Sequence, residues 1–448
     1  MIIKNGKVII AGGGLAGISA AVFLNKKGYE VELYESTPKL GGRTFSYIDK
    51  FSNRIYDNGK HILAGWYKNT LDLLELLNTK DKLFKNHSFF LRFYDNNKEM
   101  HELDGRGLSG KAGFIKALLK YRKLNFNDIY AISKVIYACN FRTNKYLSAS
   151  NLKEILESTN QTTNSIEYFW KPLSVSIFNT STENVSTKLF ARVIENALSE
   201  KGNLDLLVPT DSLHNVFIDS AQRYFRNEDI KFSLSHRIVS VETSGNKVSY
   251  LKDSNGNKIE GDEFILAVPF WKANEFKNVF NLNGKHLQSS TIITIHLFTL
   301  NDEIIKELFI DEQPMIGFLD TTIDWAFKES NNHFSIVISG ADNIRSPISG
   351  KVLTDCTKEE IFGICISDLI KSLKEFSFPL IEKYKIIKEK RATFVPDKDS
   401  DELRPSNKSK YDNLFFAGDW TDTGYPSTIE SAVKSGKICS ELINEKKL

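Results

Sequence analysis

The stretch KVIIAGGGLAGISAAVFLNKKGYEVELYE, residues 7–35, decides the fold. It opens with a short apolar strand, continues through a glycine-rich turn into a helix, and closes with a second strand that ends at Glu35. Strand, Gly-x-Gly-x-x-Gly, helix, strand and acid in this order are typical of a dinucleotide site, in which the acid accepts hydrogen bonds from a ribose hydroxyl. The stretch therefore predicts an α/β fold with a Rossmann-type domain. A purely structural glycine turn is the alternative.

Each glycine of this turn has a physical task. Gly12 permits the tight turn, Gly14 lets a pyrophosphate approach the backbone, and Gly17 lets the helix pack closely on the strand. The first helical residues, Leu15 and Ala16, present free N–H groups at the positive end of the helix dipole. We therefore expect these five residues to bind the phosphates of the cofactor.

The bulk composition limits the class of partner. The 448 residues carry 59 basic and 56 acidic side chains, a balance that argues against a nucleic-acid partner bound by bulk charge. The four cysteines are Cys139, Cys356, Cys365 and Cys439. They form no CxxC pair and show no metal-ligand spacing, which favours free thiols in the cytoplasm and no metal site. A disulfide between Cys356 and Cys365 is the alternative. Residues 8–24 imitate a membrane anchor, but the glycine turn accounts for them, and no other run is long and apolar enough to span a bilayer.

A second glycine signature follows Glu35. Residues 36–47 read STPKLGGRTFSY, in which Gly41 and Gly42 allow a close backbone approach and Arg43 supplies a fixed cation. This segment resembles the second signature of FAD-dependent enzymes of the amine oxidase and phytoene desaturase superfamily. The resemblance implies that the cofactor is FAD and that Gly42 and Arg43 lie along its diphosphate and ribityl chain.

The segment IYDNGKHILAGWY, residues 55–67, forms a polar cluster within apolar surroundings. In the resembling enzymes the matching segment passes close to the flavin ring. This implies that Gly59 contacts the cofactor and that His61 lies near the reacting atoms, with Asp57 beside it. A core histidine that binds only Asp57 or the backbone is the alternative reading of His61.

The two ends of the chain are expected to form one site. Residues 413–436, NLFFAGDWTDTGYPSTIESAVKSG, read as a buried strand, a turn and a helix start. The resemblance implies that Gly418 and Asp419 approach the ribityl and phosphate region. The following turn and helix start would approach the flavin ring through Ser427, Thr428 and Ile429. A β-meander over residues 236–269 is expected to add Ile238, whose backbone contacts adenine in the resembling enzymes.

These segments imply a discontinuous Rossmann-type FAD-binding domain into which an α+β substrate domain is inserted. The predicted FAD-binding domain covers residues 1–75, 205–270 and 385–448. The predicted substrate domain, with an apolar tunnel, covers residues 76–204 and 271–384.

Further motifs resemble one family, the squalene-associated FAD-dependent desaturases or hydroxysqualene dehydroxylases of hopanoid and squalene biosynthesis. The matching motifs are YDNGKHILAGWYKNTLDLL, FWKPLSVSIFNTSTENVSTKLFARVI, LDLLVPTDSLHNVF, LAVPFWKA and GDWTDTGYPSTIESAVKSG. Lys60 stands where the family pattern has glutamine, Tyr425 stands where it has leucine, and residues 176–178 are bulkier than usual.

The resemblance implies reductive removal of a hydroxyl group from hydroxysqualene, which needs a proton donor, an electron donor that the sequence does not identify, and an apolar tunnel. The candidate proton donors are His61, Asp57, Asp422 and Glu430. The candidate tunnel aromatics are Phe89, Phe90, Phe93, Phe169, Trp170, Phe178, Phe318 and Trp325. Because an isoprenoid barely dissolves in water, residues 114–146, which mix apolar and basic side chains, are expected to contact the inner face of the cytoplasmic membrane. Two ordinary amphipathic helices are the alternative reading.

Other functions share these features. A carotenoid or phytoene-type desaturase would use FAD and an apolar tunnel but would remove hydride from its substrate. An amine oxidase would place an aromatic cage against the flavin ring. A non-catalytic lipid-binding flavoprotein is the alternative from a different class.

Overall fold

The computed structural model of the chain describes residues 5–48, 55–86, 89–200, 202–276, 278–280, 286–310, 313–374 and 381–446. Strand β1 (Lys7–Ala11) lies at the centre of a parallel sheet, where its apolar residues are buried. The strands of this sheet, in spatial order, are β10 (Lys231–Ser233), β2 (Glu30–Tyr34), β1, β14 (Glu263–Leu266) and β20 (Leu414–Phe416). They come from three separate stretches of the chain, so the sheet forms only when both termini meet the middle.

Helices cover this parallel sheet. They are α1 (Leu15–Lys26), α10 (Asp219–Asn227) and α14 (Ile429–Glu445), and α2 (Lys68–Leu76) packs on α14 and α1. Helix α1 is buried over its first ten residues, because it packs between the sheet and α14. At this crossing a Cβ on Gly436 would lie 2.4 Å from the Ala16 carbonyl oxygen. The two terminal helices therefore approach as closely as backbone contact allows.

A mixed, mainly antiparallel sheet forms the second part of the fold. Its strands, in spatial order, are β19 (Ile381–Phe394), β15 (Ser289–Thr299), β18 (His333–Ile338), β17 (Trp325–Ser330), β16 (Met315–Phe318), β7 (Phe90–Tyr94) and β8 (Met100–Asp104). The helices α11 (Glu303–Leu308), α12 (Lys358–Ser372) and α13 (Lys398–Leu403) occur between or after its later strands. Strand β19 pairs with β15 along its length, so residues 385–394, which the sequence division places in the FAD-binding domain, belong by pairing to this sheet.

A helical layer follows β8. Its members are α3 (Gly110–Lys120), α4 (Phe126–Asn140), α5 (Asn144–Ser148), α6 (Leu152–Ser158), α7 (Thr163–Ser165), α8 (Lys171–Phe178) and α9 (Thr187–Ser199). Helix α4 begins with a capping box in which the Asn125 side chain and the Asp128 carboxylate accept each other's backbone N–H groups. Helix α8 continues from a wider π-type turn over residues 166–170, which carries Phe169.

Small sheets complete the fold. The predicted β-meander is present as β11 (Ile238–Ser244), β12 (Lys247–Asp253) and β13 (Lys258–Ile259), followed by β14. The others are the hairpin β3 (Ser46–Ile48) and β4 (Ile55–Asp57), and the sheet of β5 (Leu63–Ala64), β9 (Leu206–Pro209) and β6 (Leu83–Asn86). The cysteines are free and buried. A helix long and apolar enough to cross a bilayer does not occur among the described residues.

Candidate active site

A cavity of about 750 Å³ lies where the carboxyl ends of the parallel strands face the antiparallel sheet. Gly12, Glu35, Ala267 and Gly418, which follow β1, β2, β14 and β20, all line it. Ligands of open α/β sheets bind at this edge. We call the part formed by these strand ends the polar cleft. The part formed by the antiparallel sheet and the helical layer is the apolar chamber.

The glycine turn forms one wall of the polar cleft. Gly12 has φ +116°, and a Cβ there would lie 2.3 Å from the Ala267 carbonyl oxygen. A Cβ on Gly17 would lie 1.9 Å from the Gly12 carbonyl oxygen, whereas a Cβ on Gly14 would meet nothing within 4 Å. Gly12 and Gly17 therefore serve backbone packing, and Gly14 leaves open space for a ligand.

The Glu35 carboxylate is held at the rim of the cleft. Its Oε2 atom accepts a hydrogen bond from the Gly13 N–H at 2.7 Å, and its Oε1 atom accepts one from the Thr37 N–H at 2.8 Å. These bonds fix the carboxylate and leave it lone pairs for further donors. The geometry suits the predicted role as an acceptor for a ribose hydroxyl.

Arg43 and Asp419 join the two ends of the chain across the cleft. The Arg43 guanidinium donates to the Asp419 carboxylate and, at 2.7 Å, to the Ala392 carbonyl oxygen. Ser427 donates to the other carboxylate oxygen of Asp419. The predicted convergence of the N-terminal and C-terminal signatures is therefore present in the structure.

Helix α14 points its N-terminus at the cavity. Thr428 is the N-cap, and its hydroxyl accepts a hydrogen bond from the Ser431 N–H at 3.1 Å. Thr428, Ile429 and Ala432 line the cavity, so the positive end of the helix dipole faces the space beside the polar cleft.

The residues of the polar cleft fit FAD. Of the predicted cofactor residues, all but Gly17 line the cavity. The open space before Gly14, the fixed acceptor Glu35 and the N-termini of two helices suit a dinucleotide diphosphate and ribose. Asn58 also lines the cavity, and within the described part of the chain its buried Oδ1 atom has no partner. A buried acceptor without a partner is costly, and a donor on a bound ligand would satisfy it.

Lys60 lines the cavity and belongs to a buried ionic cluster with Asp57 and Glu329, which lie behind the lining. Its ammonium is 3.1 Å from a Glu329 oxygen on β17 and 3.6 Å from an Asp57 oxygen. Burial disfavours the charge, but Glu329 and Asp57 outweigh it and raise the pKa of Lys60. The backbone of the loop is tied to β15 as well, since the His296 ring contacts the Asp57 carbonyl oxygen at 3.2 Å. The cluster therefore fastens the segment that carries His61 to the antiparallel sheet.

Among the four predicted proton donors, His61 is the one that lines the cavity. Burial, together with the nearby charges of Arg43 and Lys60, lowers the pKa of His61 to about 4. The imidazole is consequently neutral near pH 7. It can donate a hydrogen bond from one ring nitrogen and accept one at the other.

The other three predicted donors do not reach the cavity lining. Asp57 is buried, accepts hydrogen bonds from Ser46 Oγ at 2.6 Å and the Leu213 N–H at 2.9 Å, and has a pKa raised by burial despite the opposing effect of Lys60. Asp422 is exposed to solvent.

Glu430 is committed to a structural contact. Its carboxylate accepts hydrogen bonds from the backbone N–H and side chain of Asn69 and of Thr70, at distances of 2.7 to 3.1 Å. It thereby caps the N-terminus of α2 from within α14, and burial raises its pKa. A carboxylate at the start of a helix reads from sequence as available, but the packing of α2 against α14 occupies it.

The apolar chamber is lined from several elements. Of the aromatic residues predicted for the tunnel, Phe89, Phe93, Phe169 and Trp325 line it. Phe90, Trp170, Phe178 and Phe318 are buried outside the lining. The acids that line the cavity are Glu35, Glu275, Glu389 and Asp419. Glu389, on β19, is the one carboxylate that the antiparallel sheet contributes to the described lining, and it accepts a hydrogen bond from the Asn58 side chain at 3.2 Å. The other three acids contact residues of the polar cleft or its rim.

Sequence reasoning missed Asp324, which lies beside two lining residues of the chamber, Trp325 and Ser339. Its Oδ2 atom accepts a hydrogen bond from the Ser339 N–H at 2.6 Å. Burial raises the pKa of Asp324 to about 7, and the bond from Ser339 acts in the opposite direction. Groups titrating near neutral pH beside a cavity are candidates for proton transfer. The sequence offered only a single acid before a strand as a signal.

Comparison with known proteins places this geometry in context. A family model described as "Flavin containing amine oxidoreductase" matches residues 15–444. The hydroxysqualene dehydroxylase of Zymomonas mobilis is 27% identical over 97% of this chain and 98% of its own length. The zeta-carotene desaturase of Synechocystis is 24% identical over 98% of this chain and 97% of its own. The solved structure of cyclohexylamine oxidase from Brevibacterium oxydans has the same fold, with a TM-score of 0.72 at 13% identity over 99% of each chain.

Proposed function

We propose that the protein converts hydroxysqualene reductively to squalene. The premise is that the chain belongs to the family of flavin-containing amine oxidoreductases and is an FAD-dependent oxidoreductase. Its similarity to a hydroxysqualene dehydroxylase over nearly the full length of both chains supports this substrate. Squalene and hopanoid synthesis is the corresponding proposed context.

The observation that carries the proposal is the joining of the polar cleft to the apolar chamber in one cavity. An isoprenoid alcohol gains most of its binding free energy from burial of hydrocarbon, which aromatic and aliphatic walls supply. An amine substrate is a cation and needs a carboxylate or a cage of ring faces. The described lining of the chamber offers mainly the first kind of wall, and its one carboxylate, Glu389, already accepts a hydrogen bond from Asn58, which favours the alcohol over the amine.

The reaction balances with one reductant. The C–O bond breaks, the oxygen leaves as water after it gains a proton, and the carbon gains two electrons and a proton in the form of hydride. When bound, reduced FAD supplies that hydride. An external electron donor must then reduce the flavin again, and its identity is a separate question.

The residues of the chain have three tasks in this scheme. The cleft residues Glu35, Arg43 and Asp419 hold the cofactor. The walls of the chamber exclude water, which would otherwise capture a cationic carbon. His61, which faces the cavity with a neutral imidazole, donates a hydrogen bond to the hydroxyl oxygen as the C–O bond breaks.

Replacement of His61 tests this assignment. We expect His61→Ala to retain FAD but to lower kcat by about a hundredfold, the usual effect of removing a positioned hydrogen-bond donor from an atom on which charge develops. His61→Gln keeps an N–H donor and should lose less activity. Undiminished turnover in His61→Ala would remove His61 from the reaction.

The function itself is tested by product analysis. The FAD-loaded protein is reduced anaerobically with dithionite in D₂O, given hydroxysqualene in detergent, and its product is identified by mass spectrometry. We expect squalene that carries one deuterium at the former carbinol carbon, because flavin protons exchange with solvent. Unchanged hydroxysqualene would contradict the proposal.

A desaturase is the second candidate, because the similarity to a zeta-carotene desaturase also extends over nearly the full chain. It would run in the opposite direction, with oxidised flavin and a polyene that gains double bonds. Incubation of the oxidised protein with phytoene and a quinone acceptor separates the two functions.

The substrate also implies a place of uptake. A C30 hydrocarbon chain resides in membranes, so we propose that the protein works in the cytoplasm with peripheral contact on the inner face of the cytoplasmic membrane.

A further inference from the structure

Two consecutive helices, α3 and α4, expose apolar side chains that no element of the described part of the chain covers. Helix α4 presents Phe126, Tyr130 and Tyr137 along one stripe, and its C-cap residue Phe141 continues that stripe. Phe126 is 80% exposed and Phe141 is 68% exposed. The opposite face of α4 is buried against the protein, through Ala131, Ile132, Val135 and other residues. The helix therefore has a second apolar stripe that its fold does not use.

Helix α3 repeats this arrangement. Ile115 and Leu119 are each 53% exposed, while Phe114, Ala117 and Leu118 are buried. We define the α3–α4 face as Ile115, Leu119, Phe126, Tyr130, Tyr137 and Phe141. A folded protein rarely leaves so many large apolar side chains together in water unless they bind something.

The charges around the α3–α4 face identify the class of partner. Residues 105–148 contain nine basic residues and one acidic residue, Asp128. Asp128 is buried in the capping box of α4 and does not reach the surface. Lys111, Arg122, Lys134 and Lys145 have no ion-pair partner among the described residues, and Lys134 lies 4.7 Å from the centroid of the Tyr130 ring. Aromatic rings interleaved with unpaired cations are typical of proteins that bind at an anionic bilayer surface.

The α3–α4 face is also close to the apolar chamber. Phe114, on the inner side of α3, lies with its ring centroid 5.3 Å from Phe89 and 6.0 Å from Phe169. Both of these residues line the chamber. The inner side of α3 thus contacts the chamber wall while its outer side carries part of the exposed face. A partner bound at this face would be separated from the chamber wall by helix α3.

From these observations we propose that the α3–α4 face binds an anionic lipid bilayer and that the chain takes its apolar substrate from that bilayer. The uptake step rests on the proposed function, whereas bilayer binding does not. The aromatic rings enter the boundary between headgroups and acyl chains, and the lysines and arginines contact lipid phosphates. Binding is consequently stronger at low salt and on anionic vesicles.

Vesicle flotation of the FAD-loaded full chain tests the face. We expect it to float with vesicles rich in phosphatidylglycerol, and to float poorly with pure phosphatidylcholine. Phe126→Ser/Phe141→Ser should partition at least about tenfold more weakly, because interfacial binding scales with buried apolar area. The matched control is Leu300→Ser/Ile348→Ser, which removes exposed apolar side chains outside the face and should bind as the parent does. Unchanged FAD content and unfolding temperature verify that all variants are folded.

Two outcomes would overturn the proposal. One is equal flotation of the parent and of Phe126→Ser/Phe141→Ser. The other is a parent that does not float. If that parent also forms a dimer that becomes monomeric in the variant, the face is a contact between two copies of the chain.

Activity assays separate this proposal from the proposed function. If squalene forms from substrate in detergent while the parent does not float, the proposed bilayer binding by the α3–α4 face is wrong and the proposed dehydroxylase activity is supported. If the parent floats and the variant does not, while neither forms squalene, bilayer binding by the α3–α4 face is supported and the proposed dehydroxylase activity is wrong. If both hold, the variant should lose turnover of vesicle-borne substrate and keep its turnover in detergent.

Discussion

The polar cleft and the apolar chamber are two parts of one cavity, and the chain builds them by different means. The cleft consists of backbone turns and fixed polar side chains from both ends of the chain, such as Gly12, Glu35, Arg43 and Asp419. The chamber consists of side chains such as Phe93, Phe169 and Trp325, which come from separate strands and helices of the middle. In the cleft, a Cβ added to Gly12 or Gly17 would collide with a backbone carbonyl oxygen. In the chamber, aromatic rings pack against one another.

This difference separates cofactor binding from substrate choice. A dinucleotide has a fixed shape and fixed charges, so the cleft must place donors and acceptors at set positions. An isoprenoid chain has neither, so a chamber of the right volume and hydrophobicity serves it. Changes in the cleft should therefore abolish cofactor binding, and changes between the two regions should alter stability or titration while FAD is retained.

The largest effect is expected in the glycine turn. In Gly17→Ala the added Cβ would lie 1.9 Å from the Gly12 carbonyl oxygen, so the turn must shift, at a cost of about 3 kcal/mol or more. We expect the purified variant to lack flavin absorbance. Gly363→Ala is the control, because a Cβ there meets nothing within 4 Å, and helix α12 should gain up to about 1 kcal/mol. A yellow Gly17→Ala protein would show that the turn tolerates a side chain.

The next effect concerns Glu430, at the contact between the terminal helices and α2. Glu430→Ala leaves the half-buried donors of Asn69 and the buried donors of Thr70 without this acceptor, and we expect a loss of about 3 kcal/mol in the free energy of unfolding. Asp422→Ala, at an exposed position, should change it by less than about 0.5 kcal/mol. Denaturant unfolding measures both. Full stability of Glu430→Ala combined with lost turnover would restore Glu430 as a candidate proton donor.

The buried ionic cluster between cleft and chamber should show charge coupling. Lys60→Gln leaves the Glu329 and Asp57 carboxylates buried without a cation. We expect this change to lower the free energy of unfolding by about 3 kcal/mol. Lys60→Gln/Glu329→Gln removes one of the stranded charges and should recover most of this loss. A double variant no more stable than the single one would show that Lys60 and Glu329 act independently.

The smallest effect is a change in the pH dependence of stability at Asp324. Its pKa is about 7 in the folded protein and 3.8 in the reference state, so the folded state binds the proton more tightly. Stability from this group is therefore full below about pH 4 and is lost as the pH rises towards 7. In the parent, the free energy of unfolding should therefore fall by about 2 kcal/mol between about pH 4 and 7, once the partial exposure of Asp324 is allowed for. We expect Asp324→Asn to lack this fall. Identical pH profiles of the unfolding free energy in parent and variant would contradict the raised pKa.

The contrast between the two regions also explains how far the sequence could predict the structure. The glycines, Glu35, Arg43 and Asp419 follow from motifs as residues of one cofactor site, because a close backbone approach allows few residue types at fixed spacings, whereas the ion pair between Arg43 and Asp419 appears only in the structure. The chamber has no such constraint, and half of its predicted aromatics do not line it. In β7 the reason is the alternation of a strand, since Leu91 and Phe93 face the cavity while Phe90 points away.

The sequence could not predict the ionic cluster around Lys60 or the hydrogen-bond partners of the candidate acids, because both depend on contacts between residues distant in sequence. Glu329 and His296 lie more than two hundred residues from Asp57 and Lys60, in strands that read as core. Glu430 stands at a helix start in the sequence, and only the packing of α14 against α2 reveals that its acceptors are occupied. The domain boundaries stay a prediction, apart from the pairing of β19 with the antiparallel sheet.

The most direct test of the account is an anaerobic single-turnover titration. The FAD-loaded protein is fully reduced, hydroxysqualene is added in substoichiometric steps, and flavin absorbance is recorded while squalene is quantified in the same samples. If cleft and chamber bring cofactor and isoprenoid together as proposed, one flavin is reoxidised for each squalene formed. A reduced flavin that stays reduced at saturating hydroxysqualene, in protein that retains one FAD per chain, would contradict the account.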